Sequence, residues 1–340
     1  MLQGAVIGFG GIIQKSHLPA FADSMLRTKL KIKAAVELNK RNRIESGKKY
    51  RDLNFYASFE EMLDNEKIDF VDIATPPVYH KEYIEKAISR NLNIICEKPF
   101  VLNTKEALYI YDKLSGYNGT FVVCHQYKYS PLWREFKKAI EAAPKTKKMF
   151  LQFNVIRSKA DKGTEMFRNV WRIDKNISGG GILADTGIHY IYLSLWLIGK
   201  PRSVWSSARN ITHHNYKVED TAIVILEFDR GIAQINLTWG GNRRHNSAFL
   251  SSGNVSLQYL GGRKLIKYIN DKEEILEVPD PSDKNTYIDL YVELFNEFYN
   301  MATRKSTDKS AAEEALMSIK IMELAYKSSE KNKTMAIINE

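Results

Sequence analysis

The 340-residue sequence predicts a two-part α/β chain. A doubly wound parallel sheet comes first, and an α+β part with a large open, mostly antiparallel sheet follows. Three observations predict it. A short apolar run, Gln3-Gly4-Ala5-Val6-Ile7, meets the glycine turn Gly8-Phe9-Gly10-Gly11-Ile12-Ile13 and then becomes amphipathic. Apolar strand runs alternate with helical patterns up to about residue 125, joined by the short turns of βαβ crossovers. From residue 148 onward, long runs with strand character dominate, separated by turn signals such as Asp229-Arg230-Gly231 and Gly261-Gly262. The change of pattern divides the chain into a first domain, 1–125, and a second, 126–340, with no flexible linker between them and with the C-terminal helix able to pack back on the first.

Each element has a local cause. Residues 14–24 read as a helix broken near Ser16-His17, because Pro19 cannot continue a helix from Lys15, and restarted at Leu18. The second strand, 31–37, ends on the acid Glu37, and a short strand covers 54–56. Ser58 and Glu61 form a capping box for a helix over 58–63. The strand at 68–74 is apolar except for Asp69 and Asp72, and Thr75-Pro76-Pro77 stops it. A helix over 79–90 places Tyr83, Ile84, Ala87 and Ile88 on one face. A strand at 93–97, a helix at 103–114 capped by Asn103, and a strand at 120–124 complete the first domain. The second opens with a helix at 131–143 that Pro144 ends, and has strands at 148–158, 203–211, 220–228, 232–239, 246–251, 255–260 and 264–269. A helix at 182–197 precedes most of these strands, and helices at 287–303 and 310–328 close the chain.

A hydrophobic share of 44% and 11% aromatics are those of a globular protein with a real core. No apolar run approaches the ~20 residues of a membrane span. The N-terminus lacks a charged segment followed by a long apolar stretch, so a cytoplasmic location is expected. Cys96 and Cys124 end predicted buried strands and read as free core thiols rather than a disulfide or metal pair. The net charge of +10 is scattered, with modest clusters at 145–148 and 327–333. It reads as a solvated surface that could also draw in an anionic substrate, such as a phosphorylated or nucleotide-linked sugar. No nucleic-acid-binding motif accompanies it.

The residues that could carry chemistry cluster at predicted strand ends. A strand, a glycine turn and a helix form the entry to a dinucleotide-binding βαβ unit, although two spaced glycines also make an ordinary turn. Gly8 would permit the tight turn and Gly10 the approach of a pyrophosphate, while Ile13 stands where the motif has its third small residue. Glu37 could accept both hydroxyls of an adenosine ribose, which favours NAD; Asn39, Lys40 and Arg41 keep NADP open. Thr75-Pro76-Pro77 with His80, and Glu97-Lys98-Pro99, close two strands at the same sheet edge. Lys98 could stabilise a developing alkoxide, with Glu97 orienting it, or the two could be a surface pair. In the second domain Trp171-Arg172 precedes Gly179-Gly180-Gly181, then Asp185 and His189, which share a helix face. A carboxylate beside an imidazole is a general acid/base with an orienting partner, and also a common surface pair. No third ligand at suggestive spacing makes a metal site. His213, His214 and His245 read as loop residues.

Together these motifs resemble the glucose–fructose oxidoreductase/inositol dehydrogenase/MocA family, over nearly the whole chain and in order. Glu97-Lys98-Pro99 and the Asp185-x-Gly187-x-His189 pattern are the specific part. The resemblance implies an NAD(P)-binding Rossmann domain and a second domain whose open sheet forms a homodimer or homotetramer interface. It implies Lys98, Asp185 and His189 as the catalytic trio, acting on a sugar, polyol or nucleotide-sugar. Cofactor contacts are implied for Gly8, Phe9, Gly10, Gly11, Ile12, Glu37, Thr75, Pro76, Pro77, His80, Glu97, Lys98, Gln126, Trp171 and Arg172. Gln126-Tyr127-Lys128-Tyr129 stands where many members have Asn-x-Arg. The expected activity is hydride transfer between nicotinamide and a hydroxyl-bearing carbon. The alternatives are a glycosidase that uses NAD for transient oxidation and a non-catalytic cofactor-binding sensor.

Overall fold

Leu2–Ile7 forms the first strand (β1), in which Ala5, Val6 and Ile7 have no exposed surface. A strand buried this fully needs neighbours on both edges and helices on both faces. A computed structural model describes residues 1–144, 146–161, 171–270, 272–281, 283–306 and 308–338; Lys145 of the first basic cluster lies outside them. Around β1 it places β2 (Leu30–Val36), β3 (Asn54–Tyr56), β4 (Phe70–Ile73), β5 (Asn93–Cys96) and β6 (Phe121–Val123). All pairings are parallel, in the order β3-β2-β1-β4-β5-β6. The strand order reverses between β1 and β4, and at such a point a crevice opens beyond the carboxyl ends of the strands.

The connecting helices are α1 (Leu18–Phe21), α2 (Lys40–Lys49), α3 (Phe59–Asn65), α4 (His80–Ser89) and α5 (Thr104–Lys113). Side chains of Asn39, Ser58 and Asn103 accept hydrogen bonds from the amides of Asn42, Glu61 and Glu106, and so fix the starts of α2, α3 and α5. Helix α2 has no counterpart in the sequence reading. Its segment is polar almost throughout and buries only Asn42 and Ser46, so no apolar stripe marks it.

The break expected at Ser16-His17 is replaced by a wide turn. Over Ile13–His17 the helix takes the π form, with the Leu18 amide donating to the Ile13 carbonyl, and the backbone stays helical into α1. Pro19 then sits in the first turn of α1, where its missing N–H is not needed. Ile13 itself is fully buried.

The second sheet follows α6 (Pro131–Ala142) and is nine-stranded. Its strands are β7 (Met149–Ile156), β8 (Ser203–Arg209), β9 (Thr221–Phe228), β10 (Gly231–Thr238), β11 (His245–Ser252), β12 (Val255–Tyr259), β13 (Lys264–Ile269), β14 (Lys272–Glu277) and β15 (Met335–Ala336). The order is β14-β13-β12-β11-β7-β10-β9-β8-β15, antiparallel except for the β7–β10 pair. His245 therefore opens a strand rather than lying in a loop. Alternate residues such as Leu151, Phe153, Leu226 and Ile235 are fully buried. The other face carries a polar ladder in which Asn236 donates to Asn154 and Asn154 to Ser247. Between β7 and β8 lie α7 (Lys175–Ser178), a π-turn over Leu183–Gly187 and α8 (Ile188–Ile198). The helical stretch Lys175–Ile198 has the length and composition of a membrane span, but 78% of that apolar window is buried inside the fold, as in a core helix.

The chain clusters into two units. One contains Met1–Cys124 and Tyr287–Leu316; the other contains His125–Asp161, Trp171–Thr286 and the residues from Met317. The second part is thus not the continuous stretch 126–340. The penultimate helix, α9 (Tyr287–Thr303), returns to the first unit, as does the start of the last, α10 (Ser310–Lys331), through Leu316, where Glu313 accepts the Tyr111 hydroxyl. Phe295 of α9 stacks on Phe21 with ring centres 4.4 Å apart, and Phe298 lies 5.5 Å from Phe70.

Candidate active site

In the first unit the glycine turn is built for close approach. Gly8 has φ +87°, and a Cβ there would sit 2.9 Å from the Thr75 Cγ2 atom, so no larger residue fits. A Cβ on Gly10 would meet nothing within 4 Å, so the turn faces open space at that point. Phe9 turns its fully buried ring inward, edge-on to Tyr50 and Phe55, and offers only its backbone to the opening. Glu37, just beyond β2, accepts hydrogen bonds from the Asn39 amide at 2.8 Å and the Phe9 amide at 3.4 Å. Burial pushes its carboxyl pKa up, against the opposing pull of the two amides and the Arg43 guanidinium. Arg43 donates to the Glu37 carbonyl, whereas Arg41 turns to Glu45. The buried Thr75 hydroxyl oxygen has no hydrogen-bond partner among the described residues. An open glycine, a carboxylate held in place and an unpaired hydroxyl fit a dinucleotide's pyrophosphate and ribose.

The two strand-end motifs are braced from beneath. His80, fully buried, has Nδ1 3.0 Å from the Pro99 carbonyl and Nε2 2.7 Å from the Thr75 carbonyl. It joins the Thr75-Pro76-Pro77 and Lys98-Pro99 loops from inside, with both ring nitrogens on the protein's own carbonyls. Burial holds its pKa below the ordinary value, and the two carbonyls offset only part of that. The Lys98–Pro99 peptide is cis.

Glu97 is likewise directed inward. Its carboxylate receives the Lys98 amide at 3.1 Å, the Tyr291 hydroxyl at 2.7 Å and His17 Nε2 at 3.2 Å. His17 Nδ1 lies 2.7 Å from Asp72. An imidazole facing a carboxylate at each nitrogen donates from both, and so carries a charge. Burial alone would lower the His17 pKa, but Asp72 and Glu97 override it and raise it to about 9. The two carboxyls respond differently. Burial would raise Glu97, yet His17, Lys98 and Tyr291 bring it to about 2. Asp72 stays raised by burial, because His17 is its main counterweight and its Oδ1 has no hydrogen-bond partner among the described residues. Cys124 Sγ joins His17 and Glu97 within 4.8 Å, but an imidazole that donates from both nitrogens has no lone pair for a metal. Cys96 and Cys124 are free and buried, and burial pushes both thiols up.

In the second unit the glycine run serves a carboxylate from elsewhere in the sequence. Glu219 accepts from the amides of Gly181 and Leu183 and from the Tyr326 hydroxyl at 2.7 Å. A Cβ on Gly181 would collide with the Glu219 carbonyl. This anchors the π-turn that carries Asp185. Arg172 donates to Asp185 at 3.1 Å and lies over the Trp171 ring at 4.3 Å. His189, 6% exposed, stacks on Tyr127 with ring centres 4.4 Å apart, and its Nδ1 lies 3.0 Å from the Tyr192 hydroxyl. That hydroxyl also accepts the Tyr127 amide at 3.1 Å. Gln126 is buried, with its side-chain oxygen unpaired among the described residues.

The structure thus groups the glycine turn, Glu37 and Thr75; His80, Glu97 and Lys98; and Trp171, Arg172 and Asp185. Lys98 belongs to the first unit, and Asp185 and His189 to the second. Sequence reasoning missed His17, Tyr291, Tyr192 and Glu219. Asp72 was the available signal for the first two, since a carboxylate within a buried strand demands a partner.

Two family models match the chain. Residues 2–125 match the oxidoreductase family with an NAD-binding Rossmann fold, and residues 151–253 match the GFO/IDH/MocA C-terminal domain. The chain belongs to the glucose–fructose oxidoreductase/inositol dehydrogenase/MocA family. Among curated members, it is 26% identical over 242 residues to Oxidoreductase P35 of Formosa agariphila, covering 70% of this chain and 72% of that protein. It is 27% identical over 197 residues to a levoglucosan dehydrogenase of Pseudarthrobacter phenanthrenivorans, covering 56% of this chain and 50% of that protein. A solved levoglucosan dehydrogenase in complex with NADH and levoglucosan superposes with a TM-score of 0.85 at 18% identity, covering 99% of this chain and all of that one. The first domain of this family member is an NAD-binding Rossmann fold, and the protein is an oxidoreductase.

Proposed function

We propose that the protein is an NAD-dependent dehydrogenase of a neutral sugar or polyol, moving hydride between a hydroxyl-bearing carbon and nicotinamide. One observation carries the cofactor choice: the Glu37 carboxylate, fixed by the Phe9 and Asn39 amides beside the Gly10 opening, suits ribose hydroxyls and repels a 2′-phosphate. The bound nicotinamide supplies a two-electron hydride acceptor or donor. Lys98 presents its ammonium to the substrate oxygen and stabilises the developing alkoxide. His189 takes or returns the hydroxyl proton at Nε2. Asp185, fixed by Arg172, orients a neighbouring substrate hydroxyl. Relatives named for levoglucosan, D-xylose and scyllo-inositol favour an uncharged polyhydroxy substrate, despite the chain's charge of +10.

The test is to identify the nucleotide retained by the purified protein and to screen free, phosphorylated and nucleotide-linked sugars for its reduction or oxidation. Lys98→Ala should keep NADH binding and lose about 10²–10³-fold in kcat, the scale of a removed oxyanion donor. Normal turnover by that variant would sink the assignment. Glycosidic cleavage without accumulation of reduced nucleotide would replace it with hydrolysis through transient oxidation. We also infer pairing of two or four copies through the open face of the second sheet, where Phe150 and Ile232 stay exposed beside the polar ladder. A monomer by light scattering would refute that. Two buried free thiols support a reducing, cytoplasmic setting.

A further inference from the structure

We propose that Tyr192 is a positioning residue that selects the tautomer of His189: its oxygen accepts the Nδ1–H, so that Nε2 is the nitrogen that gains and loses the substrate proton. This rests on the reading of His189 as the proton-transfer group.

The geometry lies within one unit. Tyr192 is fully buried, its ring stacked on His125 with centres 4.0 Å apart and planes 16° from parallel. The stack fixes where its hydroxyl can point. The Tyr127 amide, which can only donate, reaches the oxygen at 3.1 Å, and His189 Nδ1 lies on the same oxygen at 3.0 Å. A phenol oxygen has two lone pairs and can accept from both. In the proposed arrangement the oxygen accepts from both the amide and the imidazole N–H, and the Tyr192 O–H turns away from Nδ1. Tyr127 closes the assembly by stacking on the imidazole, with planes 18° apart. One residue therefore supplies both the amide that fixes the Tyr192 oxygen and the ring that fixes the His189 plane.

The chemical consequence is specific. A neutral imidazole that is to act as a base at Nε2 must carry its proton on Nδ1. In the tyrosine oxygen the protein has an uncharged acceptor that holds that proton through the cycle. When Nε2 takes the alcohol proton, the imidazolium keeps Nδ1–H on the same oxygen, and no hydrogen bond has to be remade.

The experiment uses the full-length protein with 15N-labelled histidine, with the His189 signals assigned by their loss in His189→Gln. Two-bond nitrogen–proton spectra distinguish the two neutral tautomers and the cation. In the unmodified protein, at a pH where the ring is neutral, the expected pattern is the Nδ1–H tautomer. In Tyr192→Phe, which keeps the ring stack, it should revert to the Nε2–H form. On the substrate found by the sugar screen, kcat should fall about 10- to 100-fold with KM nearly unchanged, part of the ~10²–10⁴ that a positioned proton carrier supplies. An Nε2–H pattern in the unmodified protein overturns the proposal without reference to any variant. So does an unchanged spectrum in Tyr192→Phe. Full activity in His189→Gln would instead overturn the catalytic reading while leaving the tautomer result standing.

Discussion

Replacing His17 by glutamine removes a buried cation and leaves two carboxylates facing one another, and the cost can be worked out. The folded-state pKa of His17, about 9, lies above its ordinary value of 6.5. The unfolded chain therefore releases this proton first as pH rises. The stabilisation is complete below pH ~6.5, shrinks above it and is gone beyond about 9. Each tenfold change in proton affinity is worth ~1.4 kcal/mol, so the His17 network contributes about 3 kcal/mol. The low pKa of Glu97 reports the same network from its other end and is not added; its own contribution fades only as pH falls from 4.5 toward about 2. Removing one partner of a buried ion pair typically costs ~3–5 kcal/mol, which sets the penalty expected for His17→Gln near pH 6. All five tryptophans lie in the other unit, so fluorescence would miss the effect. Hydrogen exchange of the β4 and β5 amides, converted to opening free energies, reads it directly. Between pH 6.5 and 9.5 the opening free energy of the unmodified protein should fall by about 3 kcal/mol more than that of His17→Gln. The comparison matters because the buried thiols of Cys96 and Cys124 pull the same way once unfolded cysteine begins to ionise near pH ~8.5. Parallel pH profiles for the two proteins would refute the reasoning.

Four further outcomes follow from the same geometry. Gly10→Ala should leave the melting temperature unchanged while weakening NADH binding at least about tenfold, or ~1.4 kcal/mol, by calorimetry, whereas Gly8→Ala should cost ~1–3 kcal/mol of stability from its left-handed backbone. Glu37→Gln should raise the Kd for NADH several-fold and narrow the gap to NADPH, measured by titration of nucleotide fluorescence. Glu219→Gln should destabilise the second unit by ~1–3 kcal/mol, since an amide cannot accept at every site where Gly181, Leu183 and Tyr326 donate; the five tryptophans make urea unfolding by fluorescence the suitable measurement.

Much of this fold is legible because its elements carry local signatures. The strands at 70–73 and 93–96 are short, apolar and stopped by proline-containing turns, and Ser58 and Asn103 cap helices as their positions suggest. What escapes is whatever has no apolar pattern or depends on distant partners. Helix α2 and edge strand β14 (Lys272–Glu277) are dominated by charge, so periodicity gives no sign of them. The π-turn at Ile13–His17 is a backbone adjustment that lets a proline follow at once, and propensity alone reads it as a break. Lys98, Asp185 and His189 could be named from motifs, but Tyr291, Tyr192 and Glu219 could not. Tyr291 and Glu219 act through hydrogen bonds to residues that only the folded chain brings near, and Tyr192, one helical turn from His189, carries no motif of its own.

The return of α9 has a consequence for synthesis. When β6 leaves the ribosome, the nucleotide-binding sheet has all six strands but no Tyr291 to meet Glu97, and Phe21 and Phe70 lack the aromatic rings that cover them. About 180 residues must still be made before α9 is complete, roughly 10–40 s at ~5–20 residues per second. Through that interval the first domain is an open book with sticky pages. A fragment ending at residue 125 would remain so permanently, so a form in which this cofactor domain is expressed should reach past α9.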